Sequence, residues 1–314
     1  MSILSLIKRN GENGLGYGTT AAEAVAGLDL AGRTILVTGC RSGLGLETIL
    51  ALGGRGARII GTARTEELAR GALARIAPGP GLGAGVQHLP LACQLADLAS
   101  VRACVAAVGR AAPPLDAIVC NAGIMALPRL EQAHGYELQF FTNHLGHFAL
   151  VTGLLDRLAP RGRVVVVSSD AHRRAPSEGI AFDNLSGEKR YVPWEAYGQS
   201  KLANLLFSNE LARRLGGSSG RTANALHPGV IKTPLSRHIP GVAQLALALA
   251  SPFVLKSPAE GAATQSYLAA HPRVAEVSGR YFKDCQPATP SALGRDGALA
   301  TRLWDESERI VARL

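Results

Sequence analysis

The sequence predicts a doubly wound α/β domain on a parallel sheet, and three observations carry that prediction. Apolar runs recur at residues 34–38, 58–63, 86–91, 116–120, 163–168 and 222–226. Most are separated by helical stretches of about 10 to 25 residues, the rhythm of strand–helix–strand units. Glycines crowd the turn that follows the first run. Strands that are apolar throughout belong to a sheet covered on both faces, and such sheets bind ligands at the carboxyl ends of their strands.

Taken in order, residues 1–31 are rich in Gly and Ala with weak periodicity. They read as an N-terminal arm with a short helix near 20–26. The strand at 34–38 leads to a helix over 44–53, and the strand at 58–63 to a helix over 66–76. Residues 78–85 are almost all Gly and Pro, which is turn chemistry. A strand at 86–91, a helix over 100–111 and a strand at 116–120 follow. A long helix over 132–158 then leads to the strand at 163–168. A helix over 194–215 and a strand at 222–226 close the series. No repeat or linker divides the chain, so residues 32–314 read as one domain.

Composition narrows the function classes. Hydrophobic residues at 47% against 18% charged describe a folded globular chain. The net charge of +9 would suit an anionic partner. However, the basic residues are scattered in short pairs such as Arg173–Arg174 and Arg213–Arg214, and aromatics at 5% are too sparse for base stacking. Nucleic acid is therefore not expected. Five cysteines form no CxxC pair and read as free buried thiols of a reducing compartment. Residues 1–7 are too short for a signal or a membrane span, and the most apolar later stretch, 242–255, is broken by Gln244 and Pro252. The cytoplasm is the expected location.

The first strand runs into Thr38-Gly-Cys-Arg-Ser-Gly-Leu-Gly45. Gly39, Gly43 and Gly45 permit a tight turn and close backbone approach to a pyrophosphate. The helix that opens there turns free N–H groups and a positive dipole end toward phosphate. Glycines at this spacing are weak evidence alone; a strand before and a helix after supply the context that dinucleotide binding requires.

The TGxxxGxG pattern resembles that of the short-chain dehydrogenase/reductase family. Asn121-Ala-Gly123, Asn143-His-Leu-Gly-His-Phe148, Val167-Ser-Ser169, Tyr197-Gly-Gln-Ser-Lys201 and His227-Pro-Gly-Val230 all fall in that family's order. The NHLGHF stretch and Ser278-Gly-Arg-Tyr-Phe-Lys-Asp-Cys285 resemble its retinol dehydrogenase-like branch. The resemblance spans roughly residues 28–310. It implies a Rossmann-type fold and an NAD(P)-dependent oxidoreductase moving a hydride between nicotinamide and an alcohol or carbonyl compound. It also implies a cofactor site made by Gly39, Arg41, Ser42, Gly43, Leu44, Gly45, Asn121, Ala122 and Gly123. Gln94 and Leu95 would lie by the adenine, and Pro228, Gly229, Val230 and Thr233 toward the amide and phosphate side.

NAD selection usually needs an acid after the second strand to bind the ribose hydroxyl. Here that strand ends Thr62-Ala-Arg64, with no acid before Glu66. Arg64 and Arg41 suit a 2′-phosphate, so NADP(H) is favoured over NAD(H); the alternative is that both are solvated surface residues. The family's acid after the third strand is missing. The chain reads Cys93-Gln94-Leu95, with Asp97 displaced by three positions.

Tyr197 and Lys201 lie four apart on an expected helix, hence on one face. A phenol titrates near about 10 and is a poor base at neutral pH. A neighbouring ammonium, helped by the cationic oxidised nicotinamide, is expected to lower that value and make Tyr197 a general acid/base. The resemblance gives Lys201 a second role on the nicotinamide ribose. It makes Ser169, with Ser168 as competitor, the group that orients the substrate oxygen, and Asn143 the holder of a proton-relaying water. His144 and His147 lack a third ligand, so no metal is expected. No GxSxG elbow is present.

Residues 234–257 correspond to the family's small helical lid. Their apolar character over 239–255 implies a lipophilic substrate, or equally a helix packed on the core or on a partner subunit. Many relatives pair through the helices holding Asn143 and Tyr197, so a homodimer is a further expectation. The alternatives to an oxidoreductase are a protein that senses nicotinamide nucleotides without turnover and a sugar-nucleotide epimerase. An intact tetrad argues against the first, and the missing TGxxGxxG and larger C-terminal domain against the second.

Overall fold

The computed structural model describes residues 10–77, 85–216, 220–231 and 255–314. Thr233, most of the lid at 234–257 and the greater part of the loop at 78–85 lie outside them. Eight strands share one sheet: β1 (Thr34–Thr38), β2 (Arg58–Ala63), β3 (Leu89–Ala92), β4 (Leu115–Cys120), β5 (Leu158–Val167), β6 (Thr222–His227), β7 (Tyr281–Lys283) and β8 (Gln286–Ala288). Their spatial order is β3-β2-β1-β4-β5-β6-β7-β8. Every neighbouring pair is parallel except β7 with β8. The strand order reverses between β1 and β4, and a crevice opens there at the carboxyl edge. This is the predicted Rossmann-type sheet.

The alternation along the central strands explains the two helix layers. On one face Leu36, Ile118, Cys120, Val164 and Val166 meet α3 (Leu98–Ala111), the helical segment Leu138–Leu154 (α4), α5 (Pro193–Leu215) and α7 (Gly297–Arg313). On the other, Ile35, Val37, Val119, Val165 and Val167 meet α1 (Gly43–Gly53), α2 (Glu66–Leu73) and α6 (Ala263–Ala270). Neighbouring residues of a strand point to opposite faces, so each strand with no polar side must be buried twice. Val25 and Leu30, from the N-terminal arm, lie in the second core. Asn13 Nδ2 donates to the Cys285 carbonyl at 2.9 Å, tying the arm to the turn after β7.

Two elements differ from the sequence reading. The helix expected over 132–158 begins only at Leu138. Residues 132–137 form a small antiparallel ribbon, Gln132–Ala133 with Tyr136–Glu137. His134 and Gly135 take φ of 52° and 79°, left-handed values that turn the ribbon and cannot continue a helix. The fifth strand starts at Leu158 instead of 163, and its register against β4 shifts between Leu115 and Ala117. β7, β8, α6 and α7 had no expectation from periodicity.

α4 contains a π-turn over Phe141–Leu145, so the ladder widens where Asn143 sits. Gly146 follows, and a Cβ there would lie 2.3 Å from the Leu95 carbonyl oxygen. Only glycine lets the loop after β3 approach the helix that closely. All five cysteines are free and buried. Among the described residues, no helix is long and apolar enough to cross a membrane.

Burial holds His144 and His147 well below the usual imidazole range, to about 3 and about 4. Both are neutral in the folded chain, whereas in the unfolded chain they protonate near pH 6.5. The unfolded state therefore binds more protons between about 6.5 and 4. The stability they contribute is full above that window and is lost as pH falls through it. The urea midpoint should drop between pH 7.5 and 4.5, and the drop should be smaller in His144→Gln. An unchanged pH slope in that variant would contradict the assignment.

Candidate active site

The end of β1 is the anchor of the site. The Thr38 hydroxyl oxygen accepts from the backbone N–H groups of Asn121 (2.9 Å) and Ala122 (3.0 Å), fixing the turn after β4. Asn121 Nδ2 donates back to the Thr38 carbonyl at 2.8 Å. His147 Nε2 lies 2.8 Å from the same hydroxyl, and Nδ1 lies 2.9 Å from the Asn143 carbonyl. A carbonyl can only accept, so Nδ1 carries the proton and Nε2 accepts from Thr38. His147 is thus a brace between β1 and α4.

The glycine turn packs on this anchor. A Cβ on Gly45 would lie 2.3 Å from the Gly39 carbonyl and 2.6 Å from Asn121 Nδ2, and Gly39 takes φ +69°. Both glycines are obligatory, one for contact and one for backbone conformation. Ser42 caps α1 without a side-chain hydrogen bond, so its hydroxyl does not cover the first-turn N–H groups. The arrangement is a cradle for an anion.

Asn143, fully buried, does not point at open space. Its Oδ1 accepts from Ile124 N–H (2.8 Å), and its Nδ2 donates to the Ile124 carbonyl (2.9 Å) and to Ser200 Oγ (2.9 Å). Ser200 in turn donates to the Tyr197 carbonyl at 2.8 Å. Gly123 leaves room for this: a Cβ there would lie 3.0 Å from Asn143 Oδ1 and 3.5 Å from Lys201 Nζ.

Tyr197 and Lys201 share one face of α5 and are both buried. Lys201 Nζ donates to the Val167 carbonyl (3.0 Å) and lies 5.8 Å from the Tyr197 ring centre. The two serines separate by burial. Ser168 is enclosed and donates to the Lys201 carbonyl at 2.6 Å, whereas Ser169 is half-buried and in hydrogen-bonding contact with Tyr197. The structure thus brings Asn143, Ser169, Tyr197 and Lys201 together where β4 and β5 end. Trp194, one turn before Tyr197, stands edge-on to its ring at 6.0 Å.

The comparisons agree with this architecture. The short chain dehydrogenase family pattern matches residues 33–241. Human "Retinol dehydrogenase 14" is 42% identical over 299 residues, covering 90% of this chain and 87% of that protein. "Short-chain dehydrogenase TIC 32 A, chloroplastic" of Brassica napus is 38% identical, covering 97% and 96%. A crystal structure from Mycobacterium Paratuberculosis superposes with a TM-score of 0.73 at 34% identity, covering 92% of this chain and 97% of that one. This chain is a short-chain dehydrogenase. It is an oxidoreductase of the retinol dehydrogenase-like branch.

Within this short-chain dehydrogenase the outer cofactor positions are less tightly determined. Arg64 follows β2 directly and Arg41 sits in the glycine turn, both exposed. Glu66, the nearest acid to the end of β2, is paired with Arg70 instead of facing the turn. Gln94 is exposed while Leu95 is buried under Gly146. The displaced Asp97 caps α3 by accepting from Ala99 N–H at 2.9 Å, so it does not replace the family acid. Pro228 and Gly229 are half-buried after β6, and Val230 is exposed.

Within the chain's own residues, burial opposes the expected influence of Lys201. Burial pushes the Tyr197 hydroxyl up to about 12, with the Ser169 bond pulling the other way, and Lys201 is not among the causes. Burial pushes Lys201 down to about 8. The ammonium leans on the Val167 carbonyl, and desolvation of a phenolate outweighs its influence.

Sequence reading also missed a supporting cluster. Asp170 receives Lys283 Nζ at 2.8 Å and His227 Nε2 at 3.2 Å, and its N–H donates to His227 Nδ1 at 3.1 Å. The imidazole thereby extends the β5–β6 ladder beyond Ser168, whose N–H bonds the Leu226 carbonyl. His227 in the HPG motif was the only visible signal. Replacing Thr38 by Val, which keeps the shape and removes the hydroxyl, should cost about 2 kcal/mol, by depriving the half-buried Ala122 N–H and the buried His147 of their partner. A thermal midpoint within a degree of the parent would refute the anchoring role.

Proposed function

We propose that the chain is an NADP(H)-preferring alcohol dehydrogenase or carbonyl reductase acting on a lipophilic small molecule. The observation that carries this reading is the buried Tyr197 hydroxyl, in contact with Ser169 and one helical turn from a buried lysine. The residues fit a dinucleotide: the Gly39–Gly45 turn is contracted against Asn121 to a spacing that any side chain would fill. Gly39, Ser42, Gly43, Leu44 and Gly45 would hold the pyrophosphate by backbone N–H groups. Arg41 and Arg64 would hold the 2′-phosphate, since the competing acid Glu66 is engaged by Arg70. Bound nicotinamide supplies or accepts the hydride.

Tyr197 holds the proton that the carbonyl oxygen takes up in reduction. Its raised value keeps it protonated across the physiological range, which suits a general acid. Ser169 orients the substrate oxygen by a hydrogen bond. Lys201, charged below about pH 8, stabilises negative charge as it develops on the Tyr197 oxygen and holds the nicotinamide ribose. Asn143 fixes the Gly123–Ile124 turn against α5 through its side chain, so a water relaying protons to Lys201 would be held by its carbonyl, which keeps a second lone pair beside the His147 bond. Trp194 beside Tyr197 and the apolar residues 239–255 support a lipophilic substrate. Retinol, the alcohol in the name of the human relative, is one candidate to try in the oxidative direction. A homodimer through α4 and α5 and a domain spanning 32–314 belong to the same reading.

NADPH and NADH should be titrated separately, and absorbance followed with bulky ketones and aldehydes. NADPH turnover should be lost in Tyr197→Phe, by about 10²-fold or more, while cofactor binding is retained. Tight binding without Tyr197-dependent turnover on a broad panel would instead favour a nucleotide sensor. Arg64→Ala should weaken NADPH and spare NADH. In the reductive direction the rate at saturating cofactor should fall as pH rises through about 8, where Lys201 loses its proton. A flat profile to pH 9 would remove the ammonium from the mechanism.

A further inference from the structure

We infer that Gln265 of α6 is a positioning residue that locks the glycine turn to the Asn121 turn and so sets dinucleotide affinity without setting the rate of chemistry. The inference rests on the cofactor reading above. Gln265 is fully buried. Its Nε2 donates to Asn121 Oδ1 at 3.1 Å and to Thr48 Oγ1, and lies 3.4 Å from the Leu44 carbonyl. The amide orientation follows from its neighbours. Asn121 Nδ2 is spent on Thr38, so Oδ1 faces Gln265, and the Thr48 hydroxyl already donates to Leu44 at 2.7 Å. Three acceptors surround the group, so it must be the NH2 end.

Among the described residues, the carbonyl end of the same amide is buried without a hydrogen-bond partner. Leaving an acceptor unsatisfied in the interior is costly, and an apolar side chain would avoid it. The donor end therefore has to compensate. What it holds is specific. The Leu44 carbonyl and the Gly45 N–H belong to one rigid peptide plane and point in opposite directions. Fixing that oxygen through Thr48 and Gln265 fixes the N–H at the opening turn of α1. Asn121, held by the same amide, is the group that Gly45 packs against. One side chain thus braces both walls of the anion cradle, from a helix more than 140 residues downstream.

Preorganised donors reduce the ordering cost of binding, so loss of the brace should appear in affinity. Gln265→Met keeps the volume and removes the donors. It should raise the NADPH dissociation constant about tenfold while kcat at saturating cofactor and KM for the carbonyl substrate stay within about twofold. Thr48→Val removes the shared hydroxyl and should give the same signature. The double variant should be weaker than either single one by less than the sum of the two losses, because both act on the Leu44 carbonyl and only the Asn121 bond is Gln265's own. An unchanged dissociation constant, a fall in kcat without a change in affinity, or fully additive losses would each overturn the inference. If Gln265→Met does not fold, Thr48→Val alone decides by the same split. Wild-type protein that binds neither dinucleotide would overturn the cofactor reading and this inference together, whereas normal binding by both variants overturns only the inference.

Discussion

The position of almost every group in the site depends on the hydroxyl of Thr38. It accepts from two N–H groups of the turn after β4 and donates to His147, so three elements meet on one oxygen. From His147 the bonds run on to the Asn143 carbonyl, from the Asn143 side chain to Ser200, and from Ser200 to the Tyr197 carbonyl. A buried path thus connects the first strand to the helix that carries the tyrosine and lysine. Strand ends are otherwise held only by ladder bonds that stop where the strands stop. Side-chain hydrogen bonds continue the order past that edge, into the region where a ligand has to be gripped.

The same enclosure sets the electrostatic character of the centre. Tyr197 and Lys201 are both pushed toward their neutral forms, upward for the phenol and downward for the amine. Burial is the common cause, and it works against the simple idea that a nearby ammonium makes the phenol acidic. A dry site also strengthens any charge that does form there. In the proposed reading the resting arrangement suits proton donation, and the ammonium would matter most when the oxygen of Tyr197 begins to carry charge. Outside this pocket the pattern reverses. Burial raises the Asp170 carboxyl, but the Lys283 bond and the charges of His227, Lys283 and His172 together outweigh it and hold that carboxyl below its usual range.

Most of the fold was legible because its strands are apolar on both faces and its helices fall between them. The glycine turn and the Tyr-xxx-Lys spacing were legible for a similar reason: their chemistry is local, set by residues a few positions apart. What was hidden depends on contacts across the chain. Ser168 and Ser169 look alike in local sequence, and in the structure burial, the Lys201 carbonyl 33 residues away and contact with Tyr197 distinguish them. Asp97 reads as a displaced ligand until it is seen to cap α3. The ribbon at 132–137 was masked by a periodic apolar pattern that a turn at His134 and Gly135 interrupts. Sequence spacing shows the charge beside Tyr197 and does not show the depth of burial, which by itself raises the phenol.

The two cores divide the labour between the ends of the crevice. Helices α3, α4, α5 and α7 pack on one face and deliver Asn143, Tyr197 and Lys201, whereas α1, α2 and α6 pack on the other and shape the glycine turn. The central strands belong to both, since alternate residues of β1, β4 and β5 enter opposite cores. A repacking on one face shifts those strands and is felt on the other, because close-packed interiors transmit displacement instead of absorbing it. The polar braces meet this coupling from both sides: His147 joins β1 to α4, and Gln265 joins α6 to both turns of the cradle. The glycine turn and the Tyr197–Lys201 pair are thus positioned by different layers, and the shared strands keep the two in register.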